Sequence, residues 1–168
     1  MKSSIFEKPY KFCPNCKTKL VRKNIECRKL LSCPKCSFIF WNNPKPVVSV
    51  LLNDGKKILM LKRANEPFKN FWCFPGGFMD YGETPETAIK REAKEEIGLD
   101  IKIGKLIGVY SINNDPRGAN IDIVFEGKTE KNINLSYEHS DYKYFDKNHL
   151  PEKIAYKHLQ AVKNWIKH

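Results

Sequence analysis

The chain has 168 residues, 41% hydrophobic and 12% aromatic, enough for one ordinary domain with its own core plus a small stapled module and too few for two large domains. Lys and Arg number 30 against 19 Asp and Glu, a formal +11, which favours anionic partners such as nucleic acid or small phosphorylated compounds. No apolar run reaches the roughly 18 residues of a membrane span and Met1 to Glu7 hold no apolar stretch of signal-peptide length, so the expectation is a cytoplasmic protein with no membrane partner.

Five of the six cysteines lie within the first 36 residues. Without a secretory signal such thiols bind metal more often than they form disulfides. Cys13-Pro14-Asn15-Cys16 and Cys33-Pro34-Lys35-Cys36 are two C-x2-C pairs with 16 residues between Cys16 and Cys33. Each pair can bend as a knuckle, and Cys13, Cys16, Cys33 and Cys36 together complete the closed tetrahedral shell of a structural Zn²⁺, which leaves no position for catalysis. The arrangement resembles a zinc ribbon, although Lys17 and Ser37 stand where such knuckles often carry glycine. Cys27 is left over, as a buried thiol or a competing ligand. The change in cysteine use predicts a ribbon over 1–41 and a second domain over 42–168, entered through the proline-interrupted Asn42-Asn43-Pro44-Lys45-Pro46.

Val47 to Leu52 is a β-branched strand candidate, Asn53-Asp54-Gly55 a turn, and Ile58 to Arg63 a returning strand. Residues 71–84 read as a short strand running into a glycine-rich loop. A helix follows: Thr84 can cap it, Pro85 suits its first position, Glu86 complements its positive end and Gly98 can terminate it. Ile101 to Ser111 and Ile121 to Thr129 are further strand candidates, the second with Ile121, Ile123 and Phe125 inward and Asp122 outward. Tyr142 to Phe145 is a shorter one. From Pro151 onward Ile154, Ala155, Leu159, Val162 and Ile166 recur at helical spacing.

At about 100° per residue, Glu92, Glu95 and Glu96 share one helix face. Like charges at these spacings repel by a few tenths of a kcal/mol each, and the helix C-terminus disfavours anions, so a cation is expected over this face. Mg²⁺ or Mn²⁺ fits, because hard ions take oxygen ligands and share them with substrate phosphates. A plain solvated acidic face is the alternative.

Upstream residues extend the pattern to Gly77-x5-Glu83-x7-Arg91-Glu92-Ala93-Lys94-Glu95-Glu96-Ile97-Gly98-Leu99. This resembles the Nudix box with every fixed position filled, Ala93 being small where the pattern has a larger apolar residue. The resemblance extends more loosely over residues 44–166. It implies an α+β fold, an α/β/α sandwich around a mixed β-sheet, and Mg²⁺-dependent (or Mn²⁺-dependent) hydrolysis of a nucleoside diphosphate linked to another moiety. Carried onto this chain, it makes Glu92, Glu95 and Glu96 metal ligands, adds the carbonyl of Gly76, and has Arg91 and Glu83 orient the cluster. Glu138, with Asp141 competing, is the candidate base.

Arg63 is placed as a phosphate contact, and Phe68, Phe71 or Trp72 as a base-stacking ring. His139 and His158 read as surface residues. A ribbon followed by a Nudix domain resembles NADH pyrophosphatases, but the signature of those enzymes is missing, and Asp115-Pro116-Arg117-Gly118 looks like the corresponding segment of ADP-ribose pyrophosphatases, with Pro116 in the substrate site. ADP-ribose or a related dinucleotide is therefore the expected substrate, ahead of NADH, FAD, nucleoside triphosphates and RNA caps. A nucleic-acid-binding or nucleotide-sensing protein is the rival; the lysines read as scattered and the acidic residues are intact, so nucleic acid is not favoured. A ribbon serving a homodimer is a third reading.

Overall fold

Glu26 and Cys27 adopt positive φ, 46° and 61°, the two-residue turn whose twist suits a hairpin. They close β1 (Val21–Ile25) onto β2 (Arg28–Ser32) in the computed structural model of this chain, which describes residues 10–128 and 132–167. β3 (Ile39–Phe40) adds antiparallel to β2. Cys13, Leu20 and Cys33 form the small core, with Leu31 and Phe38 against it. Cys27 is exposed in the turn and outside the cysteine cluster, which corrects its reading as a buried thiol or competing ligand. Contacts divide the chain into two compact units, with the boundary between Pro44 and Lys45.

The second unit contains β4 (Lys45–Leu52), β5 (Lys57–Arg63), β6 (Trp72–Cys73), β7 (Gly76–Phe78), α1 (Pro85–Ile97), β8 (Lys102–Ile112), β9 (Asn120–Lys128), β10 (His139–Asp146) and α2 (His158–Ile166). One sheet runs β7-β4-β9-β8 and the other β10-β5-β6. β4 and β9 are parallel and the remaining pairs antiparallel, so the fold is α+β with a mixed sheet. Strand alternation sends Val48, Val50, Leu52, Leu59 and Leu61 to one side, where Ala88, Ile89, Ala93 and Ile97 of α1 cover them. Leu51, Ile58, Met60 and Val124 face the other way, against Ala161 and Val162 of α2. The result is an α/β/α sandwich. Ala93 is fully buried in it, so the small residue in the box lets α1 sit close to the sheet.

α1 begins and ends where its caps predict. Thr84 accepts from the Thr87 amide, Thr87 returns the bond, and Gly98 closes the helix at φ 73°. α2 is shorter than expected. Ile154 and Ala155 instead join the chain at β6, where Trp72 N–H donates to Lys153 and Ala155 N–H donates to Trp72. Leu159 is 42% exposed, and the covered face of α2 carries His158, Ala161 and Val162. β9 also departs from its expected alternation: it lies between β4 and β8 with both sheet faces covered, so Asp122 is fully buried on the α2 side. Thr129, the expected end of that strand, lies outside the described residues.

Among the described residues no helix is long and apolar enough to cross a membrane.

Candidate active site

A cavity of about 310 Å³ lies where the β7–α1 segment meets the ends of β5 and β9, and Glu92, Glu95, Glu96, Arg63, Arg117 and Glu138 all line it. Arg91 organises the acidic side. Its Nε and Nη2 hold the two Glu83 oxygens at 2.8 and 2.9 Å, Nη2 also donates to the Phe78 carbonyl at 3.1 Å, and Nη1 reaches Glu92 at 2.8 Å and Glu95 at 3.3 Å. The planar fork suits this task because one rigid group meets several acceptors. The guanidinium also pulls the Glu83 carboxyl down to about 2. Part of the cation expected over the glutamate face is thus Arg91 itself, bridging Glu92 and Glu95.

Glu96 is different. It is buried, accepts one hydrogen bond from Gly76 N–H at 2.8 Å, and has a single ion-pair neighbour among the described residues, His139 Nε2 at 3.8 Å. Burial drives that imidazole down to about 4, so it supplies little charge. Burial, together with Glu92 and Glu138, pushes the Glu96 carboxyl well above its usual range, against the Gly76 amide and Arg63. Burial also raises Glu92, with Glu95 and Glu138 adding to it and Arg91 opposing. The buried, uncompensated Glu96, with the carboxylates of Glu92 and Glu95 on the same cavity, offers oxygen donors that fit a hard divalent cation. Gly77 is required beside them: a Cβ there would stand 2.6 Å from the Glu92 carboxylate.

The opposite charge comes from two arginines. The fully buried Asp115 holds Arg117 through Nε at 3.0 Å and Nη2 at 2.8 Å and accepts from Asn120 at 3.1 Å. Burial would raise this carboxyl, but Arg117 and the charge of Arg63 bring it below normal. Arg117 Nη2 lies 3.3 Å from the Tyr156 hydroxyl and its Cζ 5.0 Å over the Phe78 ring, while Arg63 Cζ lies 5.6 Å over the Tyr156 ring, its Nε donating to the Pro67 carbonyl at 2.7 Å.

Gly76, Arg91 and Glu138 therefore come together with the three glutamates, and Glu83 acts from behind Arg91. Trp72 and Pro116 are not brought to the cavity. Trp72 packs edge-on against Phe145 at 4.8 Å, on the α2 side, because its neighbour Cys73 takes the opposite direction of the strand. Pro116 is an exposed turn residue whose flanking Asp115 and Arg117 line the cavity instead. Phe68 and Phe71 pack on the α1-side core, and Asp141 is an exposed residue of β10. Both histidines read as surface residues are buried. His139 sits between Cys73 and Glu96. His158 Nδ1 accepts from Phe74 N–H at 2.9 Å, its Nε2 lies 3.3 Å from both Asp122 Oδ2 and Ser49 Oγ, and its ring stacks on Phe74. No sequence signal marks Tyr156 or His158 as lining residues; Arg117 was visible within Asp-Pro-Arg-Gly.

In the first unit the thiols of Cys13, Cys16, Cys33 and Cys36 all lie within 4.8 Å of one another and could hold a metal ion. Lys35 and Cys36 amides donate to Cys33 Sγ at 3.4 Å, and Lys17 takes φ 61°, the conformation that glycine would otherwise supply.

Fold and site together define a hydrolase of pyrophosphate bonds. The chain belongs to the Nudix family: residues 43–165 match the NUDIX domain. It is 39% identical over 127 residues to an ADP-ribose pyrophosphatase of Methanocaldococcus jannaschii, covering 74% of this chain and 75% of that protein. It is 28% identical to the NAD-capped RNA hydrolase NudC of Pseudomonas aeruginosa over 62% of this chain but only 36% of that one. A crystal structure of a Nudix hydrolase from Nitrosomonas europaea superimposes with TM-score 0.81 at 28% identity, covering 94% of this chain and 91% of that one.

Proposed function

We propose that this protein uses Mg²⁺ or Mn²⁺ to hydrolyse the pyrophosphate bond of a nucleoside diphosphate linked to another moiety, with ADP-ribose or a related dinucleotide as substrate. The observation that carries this reading is one cavity lined both by Glu92, Glu95 and Glu96 and by the cationic groups of Arg63 and Arg117. The extent of identity with the archaeal ADP-ribose pyrophosphatase supports the substrate.

Glu92, Glu95, Glu96 and the Gly76 carbonyl would hold the metal. A divalent ion held there would offset charge on the phosphate oxygens and make a water more acidic. Arg91, held by Glu83, keeps Glu92 and Glu95 in register. Glu138 takes the proton of the attacking water at its carboxylate. Arg63 and Arg117 bind the pyrophosphate oxygens, and Phe78 and Tyr156 flank the group attached to them. Residues 42–168 form the hydrolase domain and residues 1–41 a ribbon in which the four thiolates hold a structural Zn²⁺. A four-thiolate zinc shell needs its cysteines reduced, which goes with a cytoplasmic location.

The test is a Mg²⁺-supplemented panel of ADP-ribose, NADH, FAD, nucleoside triphosphates and capped RNA, with products separated by chromatography. AMP with ribose 5-phosphate is the expected result. Turnover of triphosphates alone would reject the substrate assignment.

A further inference from the structure

The positive charge of this chain is not spread evenly. Residues 10–44 carry eight Lys and Arg against one acid, Glu26, a formal +7, whereas residues 45–168 carry 20 against 17, only +3. Four thiolates and one divalent ion would contribute roughly −2, which still leaves the small unit strongly basic. All eight of its cationic residues are exposed.

The hairpin register sorts these groups into faces. Directly opposed residues share a face, so Arg22 and Leu31 lie on one side, while Lys23 and Leu30, with Ile25 and Arg28, lie on the other. Leu31 packs on the cysteine core, so Lys23 and Arg28 face away from it. Arg28 stands 5.3 Å over the ring of Trp41, itself 37% exposed, and Val21 on the same face is 45% exposed. A module built on four cysteines needs none of these for its core. Exposed aromatic surface beside closely spaced cations is the combination that binds the bases and backbone of an unpaired strand.

We propose that the β1–β2 face bearing Lys23 and Arg28, together with the Trp41 ring beneath Arg28, is a docking surface for single-stranded nucleic acid. The two cations meet phosphates, and a base stacks on Trp41 alongside the Arg28 guanidinium. A duplex fits less well, because no helix is present among the described residues of this unit to enter a groove. An anionic membrane fits less well too, because the aromatic surface is interrupted by cations and no amphipathic helix accompanies it. The surface is independent of the hydrolytic reading: its failure would leave that reading intact, and the reverse.

The test uses the full chain with zinc supplied and fluorescent oligo(U) and oligo(dT) strands of about 12 nucleotides, a duplex of equal length, and phosphatidylserine vesicles, read by anisotropy and co-sedimentation over a range of salt. Single strands should bind more tightly than duplex. Lys23→Glu/Arg28→Glu should weaken binding by at least about tenfold at moderate salt and lower the slope of log K against log salt by about 1.4, two phosphate contacts at about 0.7 each. Trp41→Ala should cost about fivefold or more without changing that slope. Zinc content and small-molecule hydrolysis should be unchanged in each variant, which shows that the fold survives. Preference for duplex, binding to vesicles but not to strands, or unchanged affinity in the double charge reversal would each overturn the proposal.

Discussion

Gly77→Ala separates the placement of Glu92 from the stability of the fold. A methyl group at Gly77 would meet Glu92 Cδ and both oxygens at 2.6 Å, and ordinary contact begins at 3.4 Å, so the carboxylate must retreat by about 0.8 Å. The atoms that yield are the end of a flexible side chain, and Gly77 is not among the residues of positive φ. Stability should therefore change by less than about 1 kcal/mol. The same retreat moves Glu92 off Arg91 Nη1, now at 2.8 Å, and a displacement near 1 Å at a reacting centre costs about 10²-fold in rate. Steady-state kinetics on ADP-ribose, paired with urea unfolding, measures both. Gly76→Ala provides the contrast: at φ 147° its Cβ would run into the Val48 carbonyl oxygen and the Ser49 backbone, so backbone must move and stability should fall by about 2 kcal/mol or more. A Gly77→Ala enzyme that folds normally and turns over at the wild-type rate would refute the placement of Glu92 in the working cluster.

His158→Leu should destabilise by about 3 kcal/mol in urea, since it strands the Phe74 amide and the buried Asp122 together; His158→Asn, whose side-chain oxygen can accept from Phe74, should recover at least half, and equal losses would reject this role. Chelation of the purified protein should release one zinc per chain, and Cys13→Ser should prevent its retention; a chain that holds none when zinc is supplied contradicts the four-thiolate shell. His139 has a folded pKa of about 4 against an ordinary 6.5, so the unfolded chain gains a proton first as pH falls. Its contribution is fully present above about pH 6.5 and is lost between there and about 4, by at most about 3 kcal/mol. His139→Gln should flatten this part of the pH–stability curve, and an unchanged slope would show that the ring titrates normally.

Much of the site was legible because its signals are local. The helix from Pro85 to Ile97 is announced by its own caps, and the placement of Glu92, Glu95 and Glu96 follows from helical geometry alone. The four cysteines declare their grouping by spacing. What was misjudged depends on which strand lies beside which. Asp122 looks like an outward residue until β9 is seen to be enclosed between β4 and β8 with helices on both faces. His158 and Tyr156 approach the cavity only because residues 153–155 run along β6, a contact spanning some 80 positions that no short pattern encodes. Trp72 was attractive as an aromatic next to the glycine loop, but strand alternation turns it toward Phe145. Pro116 is expected in the site through the resemblance of Asp115-Pro116-Arg117-Gly118 to a segment of ADP-ribose pyrophosphatases, but in that turn it is Asp115 and Arg117 that reach the cavity.

The proposed role of the buried Glu96, holding with its neighbours the metal for hydrolysis of a dinucleotide pyrophosphate, turns on one substitution. It is tested most directly by following AMP release from ADP-ribose in Mg²⁺ for the wild-type chain and for Glu96→Gln, with unfolding curves for both. AMP and ribose 5-phosphate are expected from the wild type, with a loss of about 10³-fold or more in a folded Glu96→Gln protein. A folded variant that stays within about tenfold of the wild-type rate would contradict that role.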